Sequence, residues 1–357
     1  MSKSTILRLW FSAWAGLLIL VGLGPACGSE KVSRFTASPV EKAAGGFQFT
    51  EGPVWHKDGY LLFSDIPANR IMKWTPDGKV TTFREDSGGA NGLTFDPQDR
   101  LIACEHGNRR VSITVADGTI TAAAETCQGK KFNSPNDCAM RSDGMIFFTD
   151  PDYGLGRRPR EIDVKGVYRV QPGSEAVLLA GDFDKPNGIA FSPGEKILYV
   201  ADTAQSHVRA FDVEPDGSLK NGRVLFEVEG PDGMKVDSQG NLFIASRNGI
   251  EIFNAEGIRQ EIIAVPEVPA NCAFGGPDNQ TLFITARTGL YRVELKNPGV
   301  KVWTWWLTPA PARTVPLERT EIKLRLDTLG FSFLDFVFDY GCIVSAPFTP
   351  AARPEMS

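Results

Sequence analysis

Six positions of the sequence, 38 to 51 residues apart, include five side chains that could bind a metal ion. The five carry a carboxylate or a carboxamide, whereas the sixth position is an alanine. Asp and Asn are disfavoured inside strands, so their recurrence in an apolar setting indicates a use for their oxygens. Two carboxylates with amide oxygens suit Ca²⁺ or Mg²⁺, and Mn²⁺ or Zn²⁺ less specifically. The pattern predicts one divalent cation, with Ca²⁺ as the first choice, at Glu51, Asn91, Asn136, Asn187 and Asp232, and the sixth position is Ala270.

A turn is the alternative interpretation of several of these positions. Asn91-Gly92, Asn187-Gly188 and Asp232-Gly233 are dipeptides that often form turns, and singly each fits a turn better than a site. Glu51 and Asn136 fit that interpretation less well, and repetition at one symmetry-related position favours a site.

A second set of polar residues ends the later strand of each phrase. A hairpin returns the chain to the end where it started, so we expect this set at the same rim as the first. Their alternative role is simpler, namely to end the strands and cap the loops. The set comprises Asp65, Glu105, Asp150, Asp202, Ser246 and Thr285.

Other catalytic groupings are sparse. His56, His106 and His207 fall in three different repeats and no HExxH motif exists, which argues against a multi-histidine zinc site. A G-x-S-x-G nucleophile elbow and a glycine-rich phosphate loop are also absent. His106, in CEHGN, follows a returning strand and is a candidate for substrate contact; the alternative is a rim histidine satisfied by its neighbours.

The elements that must position these residues are hairpins. Each phrase has an apolar alternation, a turn and a second apolar run, and a weaker hairpin such as RIMKWTPDGKVTTF lies between phrases. Two hairpins per period make a four-stranded blade. The phrases are EGPVWHKDGYLLFSD, NGLTFDPQDRLIACE, NDCAMRSDGMIFFTD, NGIAFSPGEKILYVAD, DGMKVDSQGNLFIAS and ANCAFGGPDNQTLFIT.

The predicted fold is therefore an all-β, six-bladed β-propeller of four-stranded blades over residues 46–297. Residues 28–45 are expected to hold a linker and the strand that closes the ring with the last blade. A β-sandwich or an open array of hairpins fits the near-constant spacing poorly. The tail, residues 298–357, lies outside the repeat and receives no function.

The amino terminus has the pattern of a targeting segment. Lys3 and Arg8 precede an apolar run of signal-peptide length, so residues 1–27 are predicted to be a signal peptide. Cys27 follows a small residue, as in lipoprotein signals, although Gly24-Pro25 matches that pattern poorly. Lipidation and plain cleavage both stay open, and the run is short for a retained membrane span. We expect an exported protein, periplasmic or lipid-anchored at Cys27.

Charge and cysteine content exclude some classes of protein. The net charge of −5 and pI near 5.4 argue against a nucleic-acid partner. The six cysteines include no CxxC pair, so a thiolate metal site is not expected. Buried thiols are expected for most of them.

Four segments resemble one known family. EGPVW at Glu51, NSPNDCAMRSDGMIFFTDPDYG from Asn133, KPNGIAFSP from Lys185 and PDGMKVDSQGNLFIA from Pro231 are similar to the regucalcin/gluconolactonase family, and ACEHGNRRV to its bacterial gluconolactonase-like members. The resemblance covers residues 45–297. It implies a divalent metal held by Glu51, Asn136, Asn187 and Asp232, with Asp232 also the proton donor or acceptor.

The resemblance also implies a reaction. The metal would polarise the carbonyl of a sugar lactone and activate water. Asn91 would lie outside the family's ligands, and Lys131, Asn133 and Ser134 stand where some members place an arginine and a substrate-binding asparagine. A phosphotriesterase-type hydrolase and a non-catalytic Ca²⁺-stabilised binding propeller remain alternatives. Further candidates for substrate contact are Asn133, His106, Asp150, Tyr153 and Arg247.

Overall fold

The computed structural model describes residues 33–115 and 117–300. These residues form 26 strands joined by turns. In this part of the chain no helix is long and apolar enough to cross a membrane. The predicted signal peptide with Cys27, and the tail from residue 301 onward, lie outside the described residues.

Six four-stranded antiparallel sheets form a six-bladed β-propeller, which confirms the predicted fold class. The chain enters with strand β1 (Glu41–Gly45) and then builds the blades in order. Blade 1 holds β2 (Thr50–His56), β3 (Tyr60–Asp65), β4 (Arg70–Trp74) and β5 (Val80–Arg84). Blade 2 holds β6 (Ala90–Phe95), β7 (Leu101–Glu105), β8 (Arg110–Thr114) and β9 (Ile120–Ala124).

A short hairpin, β10 (Thr126–Cys127) and β11 (Lys130–Lys131), precedes the third blade. Blade 3 holds β12 (Cys138–Met140), β13 (Ile146–Asp150), β14 (Gly166–Val170) and β15 (Val177–Ala180). Blade 4 holds β16 (Pro186–Phe191), β17 (Ile197–Asp202), β18 (His207–Val213) and β19 (Leu219–Glu227). Blade 5 holds β20 (Met234–Val236), β21 (Leu242–Ser246), β22 (Gly249–Phe253) and β23 (Arg259–Ile263).

Blade 6 combines the two ends of the described chain. Its strands β24 (Pro269–Gly275), β25 (Thr281–Ala286) and β26 (Gly289–Glu294) come last, and β1 pairs with β26 as the outer strand. The register joins Glu41 to Arg292 and Gly45 to Gly289. The pairing covers the free edge of β26 and closes the ring, as radial sheet architectures require.

The core lies between neighbouring blades. Strands β7, β13 and β21 are buried at every residue because each is covered by another blade on both faces. The rings of Phe132, Phe148 and Tyr168 pack at centroid distances of 5.1 to 5.5 Å between blades 2 and 3. Within the described residues the cysteines, at 104, 127, 138 and 272, are free and buried, as expected.

The inner strand of each blade faces the central channel. These six strands, β2, β6, β12, β16, β20 and β24, contact their neighbours in adjacent blades all the way round. Their first residues therefore gather at one mouth of the channel and their last residues at the other.

Candidate functional site

Five oxygen-bearing residues lie at the start of the inner strands, around one mouth of the channel. Glu51, Asn91 and Asn187 are within strands, whereas Asn136 and Asp232 stand two residues before theirs. The first four are 3 to 4% exposed and Asp232 is half-buried. The sequence prediction that these positions share one location agrees with this arrangement. We call the five residues the oxygen ring.

The turn interpretation of the Asn-Gly and Asp-Gly dipeptides is wrong. Gly92 and Gly188 lie inside strands and Gly233 directly precedes one. A Cβ atom on Gly188 would come within 2.2 Å of the Asp232 carbonyl oxygen, and one on Gly233 within 2.0 Å of the Asn271 side chain. Glycine is required here because neighbouring blades approach too closely for any side chain.

A second layer of polar groups lies one residue further along the inner strands. Four blades have glycine there, but blades 3 and 6, which face each other across the channel, have Asp137 and Asn271. The Asn271 Nδ2 atom donates to Glu51 Oε2 at 3.0 Å and to Asp137 Oδ2 at 3.3 Å. Asp137 and Asn271 are 2% and 1% exposed. This bridge crosses the channel directly beneath the oxygen ring.

Sequence reasoning missed the bridge. Comparing the residue after each ring position would have revealed it, because Asp137 and Asn271 break a run of glycines. The inner strands also shift register at this point, as between Glu51 and Val54 or between Pro269 and Asn271. Such irregularities re-aim side chains, which a strict two-residue alternation does not anticipate.

Burial and mutual repulsion dominate the electrostatics of the ring. Burial, with the nearby Asp137 carboxylate, raises the pKa of Glu51 to about 7, although the Gly52 N–H, the Asn271 amide and Lys235 act in the opposite direction. Burial, followed by Glu51 and Asp137, raises the pKa of Asp232 well above its usual range. Negative charge is thus unfavourable here unless a cation or a proton accompanies it.

The donor set fits a hard divalent cation. In the described residues no three His, Cys, Asp or Glu side chains are arranged to hold a metal by themselves, so amide oxygens would have to contribute. The ring supplies such oxygens beside two carboxylates, which is the ligand chemistry of Ca²⁺. In addition, the buried Oδ1 atom of Asn91 has no hydrogen-bond partner among the residues that the structure describes.

Hydroxyl groups of the second strands fix the backbone of the ring. Ser64 Oγ donates to the Asn91 carbonyl at 2.8 Å, and Thr149 Oγ1 to the Asn187 carbonyl at 2.8 Å. Thr203 Oγ1 donates to the Pro231 carbonyl at 2.6 Å and accepts from Asn187 Nδ2 at 3.1 Å. Blades 1, 3 and 4 thereby hold the ring segment of the next blade.

Three of the four acids that end the returning strands cap loops, as their alternative role predicts, whereas Glu105 accepts from the side chains of Asn108, Arg110 and Ser112. Asp150 accepts from the backbone N–H groups of Asn133 and Ser134 at 2.8 and 2.7 Å. Asp65 does the same for residues 48 and 49, and Asp202 for residues 184 and 185. In each of three blades, one carboxylate thus accepts from two successive backbone N–H groups just before the inner strand.

This geometry corrects two candidates for substrate contact. Asp150 and Asn133 are both 0% exposed, and Asn133 Nδ2 donates to the Val164 carbonyl at 3.0 Å. Burial raises the pKa of Asp150 to about 7 in spite of its backbone hydrogen bonds. Both side chains lie beneath the rim and hold the loop that leads to Asn136.

Two other candidates lie beside the ring. His106 Nε2 is 3.3 Å from Asn91 Nδ2, and burial, with the charge of Arg158, lowers the pKa of the imidazole to about 4. Tyr153 is 43% exposed, and burial of its hydroxyl, near Thr203 and Asn187, raises its pKa. At neutral pH the ring is therefore flanked by an uncharged imidazole and a phenol.

Arg247 lies in solvent on the loop that follows β21. Its side chain is 71% exposed, and its guanidinium is 3.6 Å from the carboxylate of Glu229, which is also exposed. The structure thus places Arg247 on the outer rim, in solvent.

The opposite end of the channel is apolar. A cavity of about 170 Å³ is lined there by later residues of all six inner strands. Trp55 lines it only four residues after Glu51, together with aromatic and aliphatic side chains from the other blades and with Lys235, Arg141 and Glu195. The main apolar contributors are Trp55, Phe95, Met140, Phe191, Val236 and Phe274.

Comparison with known proteins identifies relatives over the propeller. Residues 49–288 match the family described as SMP-30/gluconolactonase/LRE-like region. A gluconolactonase of Zymomonas mobilis is 36% identical over 74% of this chain and 83% of its own length. Regucalcin of Oryctolagus cuniculus is 27% identical over 67% of this chain and 84% of its own length.

Solved structures show the same fold. A gluconolactonase of Xanthomonas campestris is 36% identical, with a TM-score of 0.68, over 72% of this chain and 89% of that one. A regucalcin of Agrobacterium tumefaciens, described as a calcium-binding protein, is 20% identical with a TM-score of 0.63 over 74% and 98% of the two chains. At that identity the second likeness concerns the fold alone.

Proposed function

We propose that this chain, which belongs to the SMP-30/gluconolactonase/LRE-like family, is a lactonase that opens a sugar lactone with the help of one divalent cation. Ca²⁺ is the first choice among cations. The name of the Zymomonas and Xanthomonas relatives supports the substrate class. The cation would be held by Glu51, Asn136, Asn187 and Asp232.

One observation carries the proposal more than any other. Glu51 and Asp232 are two carboxylates drawn together in a buried mouth, and the pKa of each is raised by burial and by the other acids. A fold does not converge such groups without a counter-charge. The uncharged amides around them add oxygens without adding repulsion.

The two carboxylates have different exposure, which suits different roles. Glu51 is 3% exposed and is held by the Gly52 N–H at 2.6 Å and by the Asn271 amide at 3.0 Å. It supplies fixed negative charge. Asp232 is half-buried at the mouth, where a substrate can reach it.

A cation bound in the ring would polarise the lactone carbonyl and lower the pKa of a bound water. As the water oxygen attacks the carbonyl carbon, Asp232 accepts the proton that the water loses. The ring C–O bond then breaks, and Asp232 returns this proton to the departing ring oxygen, which becomes the alcohol.

Side chains around the mouth complete the site. The partly exposed Tyr153 ring lies on one side of the mouth, and the Lys185 ammonium is 4.8 Å from the centre of this ring. The neutral His106 stands on the other side. The Asp137–Asn271 bridge and the apolar cavity behind it limit access to the mouth side.

The test is turnover of gluconolactone by the full chain, followed as acid release at constant pH, with Ca²⁺ and with chelator. We expect chelation to abolish turnover and lower the melting temperature, and Asp232→Asn to lower kcat by about 10³-fold or more. Asp117→Asn, on an exposed turn of blade 2, is the matched control. Chelation without effect on activity and melting temperature would refute the cation, and full turnover by Asp232→Asn would refute its proton transfer.

The alternatives predict other outcomes of the same assay. Turnover of a phosphotriester but not of lactones would favour a phosphotriesterase-type hydrolase. Ca²⁺-dependent stability without any turnover would favour a binding propeller.

We also propose export to the periplasm, with or without lipid attachment at Cys27. The basic residues and apolar run before Cys27 support this. Cell fractionation and labelling with radioactive palmitate, with Cys27→Ser as control, test it. Label retained by Cys27→Ser would refute attachment at Cys27.

A further inference from the structure

We propose that Asn91 is a fifth oxygen donor of the cation site and that His106 sets the direction of its amide. This inference rests on the proposed function. The resemblance that assigns four ligands leaves Asn91 out, and it gives His106 no part in holding the cation.

The backbone of Asn91 is fixed at the ring. Asn91 lies on β6 at the position equivalent to Glu51 and Asn187, and it is 3% exposed. Ser64 Oγ donates to its carbonyl at 2.8 Å, and the next residue, Gly92, donates its N–H to the Asn136 carbonyl at 2.8 Å. Asn91 is therefore tied to the blade before it and to the blade after it.

The side-chain amide has one partner and one open acceptor. Asn91 Nδ2 is 3.3 Å from His106 Nε2. An amide nitrogen carries only hydrogens, so it donates, and the imidazole nitrogen accepts with the ring proton on Nδ1. The Asn91 Oδ1 atom is buried without a hydrogen-bond partner among the described residues. Leaving such an acceptor unpaired is unfavourable, so we infer a partner from outside the chain.

A cation is a better candidate for the partner of Asn91 Oδ1 than a substrate hydroxyl. Ca²⁺ takes six to eight oxygens, and the four expected ligand residues leave that number incomplete. A neutral amide oxygen adds coordination to a ring that already has too much negative charge. A substrate hydroxyl would satisfy the oxygen only during turnover, whereas a resident cation satisfies it throughout.

His106 is held firmly enough to orient the amide. Arg158 donates to the carbonyls of His106 and Gly107 at 2.9 and 2.6 Å. Gly154 packs against the imidazole so closely that a Cβ there would lie 2.5 Å from His106 Cβ. The loop after β13 therefore clamps the histidine, and the histidine in turn keeps Asn91 Oδ1 turned away from itself.

The experiment is calorimetric titration of CaCl₂ into the chelator-stripped full chain. We expect Asn91→Ala to raise the Kd for Ca²⁺ about tenfold or more, and Asn91→Asp, which keeps an oxygen, to bind at least as tightly as the wild type. His106→Phe removes the acceptor and should raise the Kd several-fold, whereas His106→Gln keeps an acceptor and should restore most of the affinity. The double variant Asn91→Ala/His106→Phe should be no weaker than Asn91→Ala alone.

Controls separate binding from folding and from catalysis. Asn221→Ala, on the exposed outer strand of blade 4, should leave the Kd unchanged. The melting temperatures of the Asn91 and His106 variants in chelator should match that of the wild type. If Asn91→Ala keeps the wild-type Kd, the inference is overturned, including the case in which only KM for the lactone rises. If the wild type itself binds no Ca²⁺, both the inference and the proposed function fail.

Discussion

The two ends of the central channel are built from the same six strands but have opposite chemistry. Glu51 at the start of β2 faces carboxylates and amides, whereas Trp55 on the same strand lines an apolar cavity. The Asp137–Asn271 bridge separates the two ends. The difference shows that the fold depends on the whole inner strand, while the chemistry depends on the residues at or just before its start.

Removing one charge from the polar end should have the largest effect. Glu51→Gln keeps the shape of the side chain but removes a buried charge, so we expect kcat to fall by about 10³-fold and Ca²⁺ affinity by about 10²-fold. The melting temperature in chelator should rise, because an unfavourable buried charge is gone. Glu256→Gln, on an exposed turn, is the control. A lower melting temperature in chelator would contradict the charge repulsion described for the ring.

Filling the space between blades 5 and 6 should destabilise the whole ring. A Cβ on Gly233 would lie 2.0 Å from the Asn271 side chain, so Gly233→Ala should lower the free energy of unfolding by about 3 kcal/mol and weaken the response to Ca²⁺. Chemical denaturation measures this effect. Gly194→Ala, where a Cβ meets nothing within 4 Å, should change it by less than about 0.5 kcal/mol. Equal effects of both substitutions would show that the close approach of blades 5 and 6 is relaxed in solution.

Lowering the pH should weaken cation binding at the polar end. The pKa of Glu51 in the folded, cation-free protein is raised to about 7, so its proton adds stability that is fully present below the ordinary value of 4.5 and is lost as the pH rises through 7. Below pH 7 a cation must displace this proton. We expect Ca²⁺ affinity to fall by at least about tenfold per pH unit between pH 7 and 5.5, because Asp232, whose pKa is also raised, must lose its proton as well. A flat calorimetric profile over this range would contradict it.

A substitution at the apolar end should affect stability alone. Val236→Ala enlarges the cavity and should lower the free energy of unfolding by about 1 to 2 kcal/mol. We expect kcat/KM to stay within about twofold, because Val236 lies beyond the bridge from the oxygen ring. A tenfold loss of kcat/KM would show that the two ends are coupled.

The propeller could be predicted from the sequence because its repeat is periodic and its turns are rich in Gly, Asp and Pro. Symmetry then placed Glu51, Asn136, Asn187 and Asp232 at one mouth. The sixth position, Ala270, carries no side-chain oxygen, but its neighbour Asn271 directs its amide into the channel. The register shift before Asn271 is a backbone feature that residue types alone do not reveal.

Other misses have a similar cause. Asp150 and Asn133 looked like substrate contacts because their side chains are polar and near the rim. Their positions are set by backbone N–H and carbonyl groups that need partners, as in the hydrogen bonds from residues 133 and 134 to Asp150. The backbone groups that require a hydrogen-bond partner can be identified only when the path of the loop is known.

The seam between the last blade and the first, which the pairing of β1 with β26 completes, has a consequence for folding during synthesis. Asn271 reaches Glu51 across the seam between the last blade and the first, and 220 residues of synthesis separate the two. A nascent chain on the ribosome can form its early blades in order, but it holds no complete site until the sixth blade emerges and docks. Contacts of such long sequence separation form late and slowly. Catalytic competence and completion of the fold should therefore be acquired in the same step, so a prematurely released chain would be inactive.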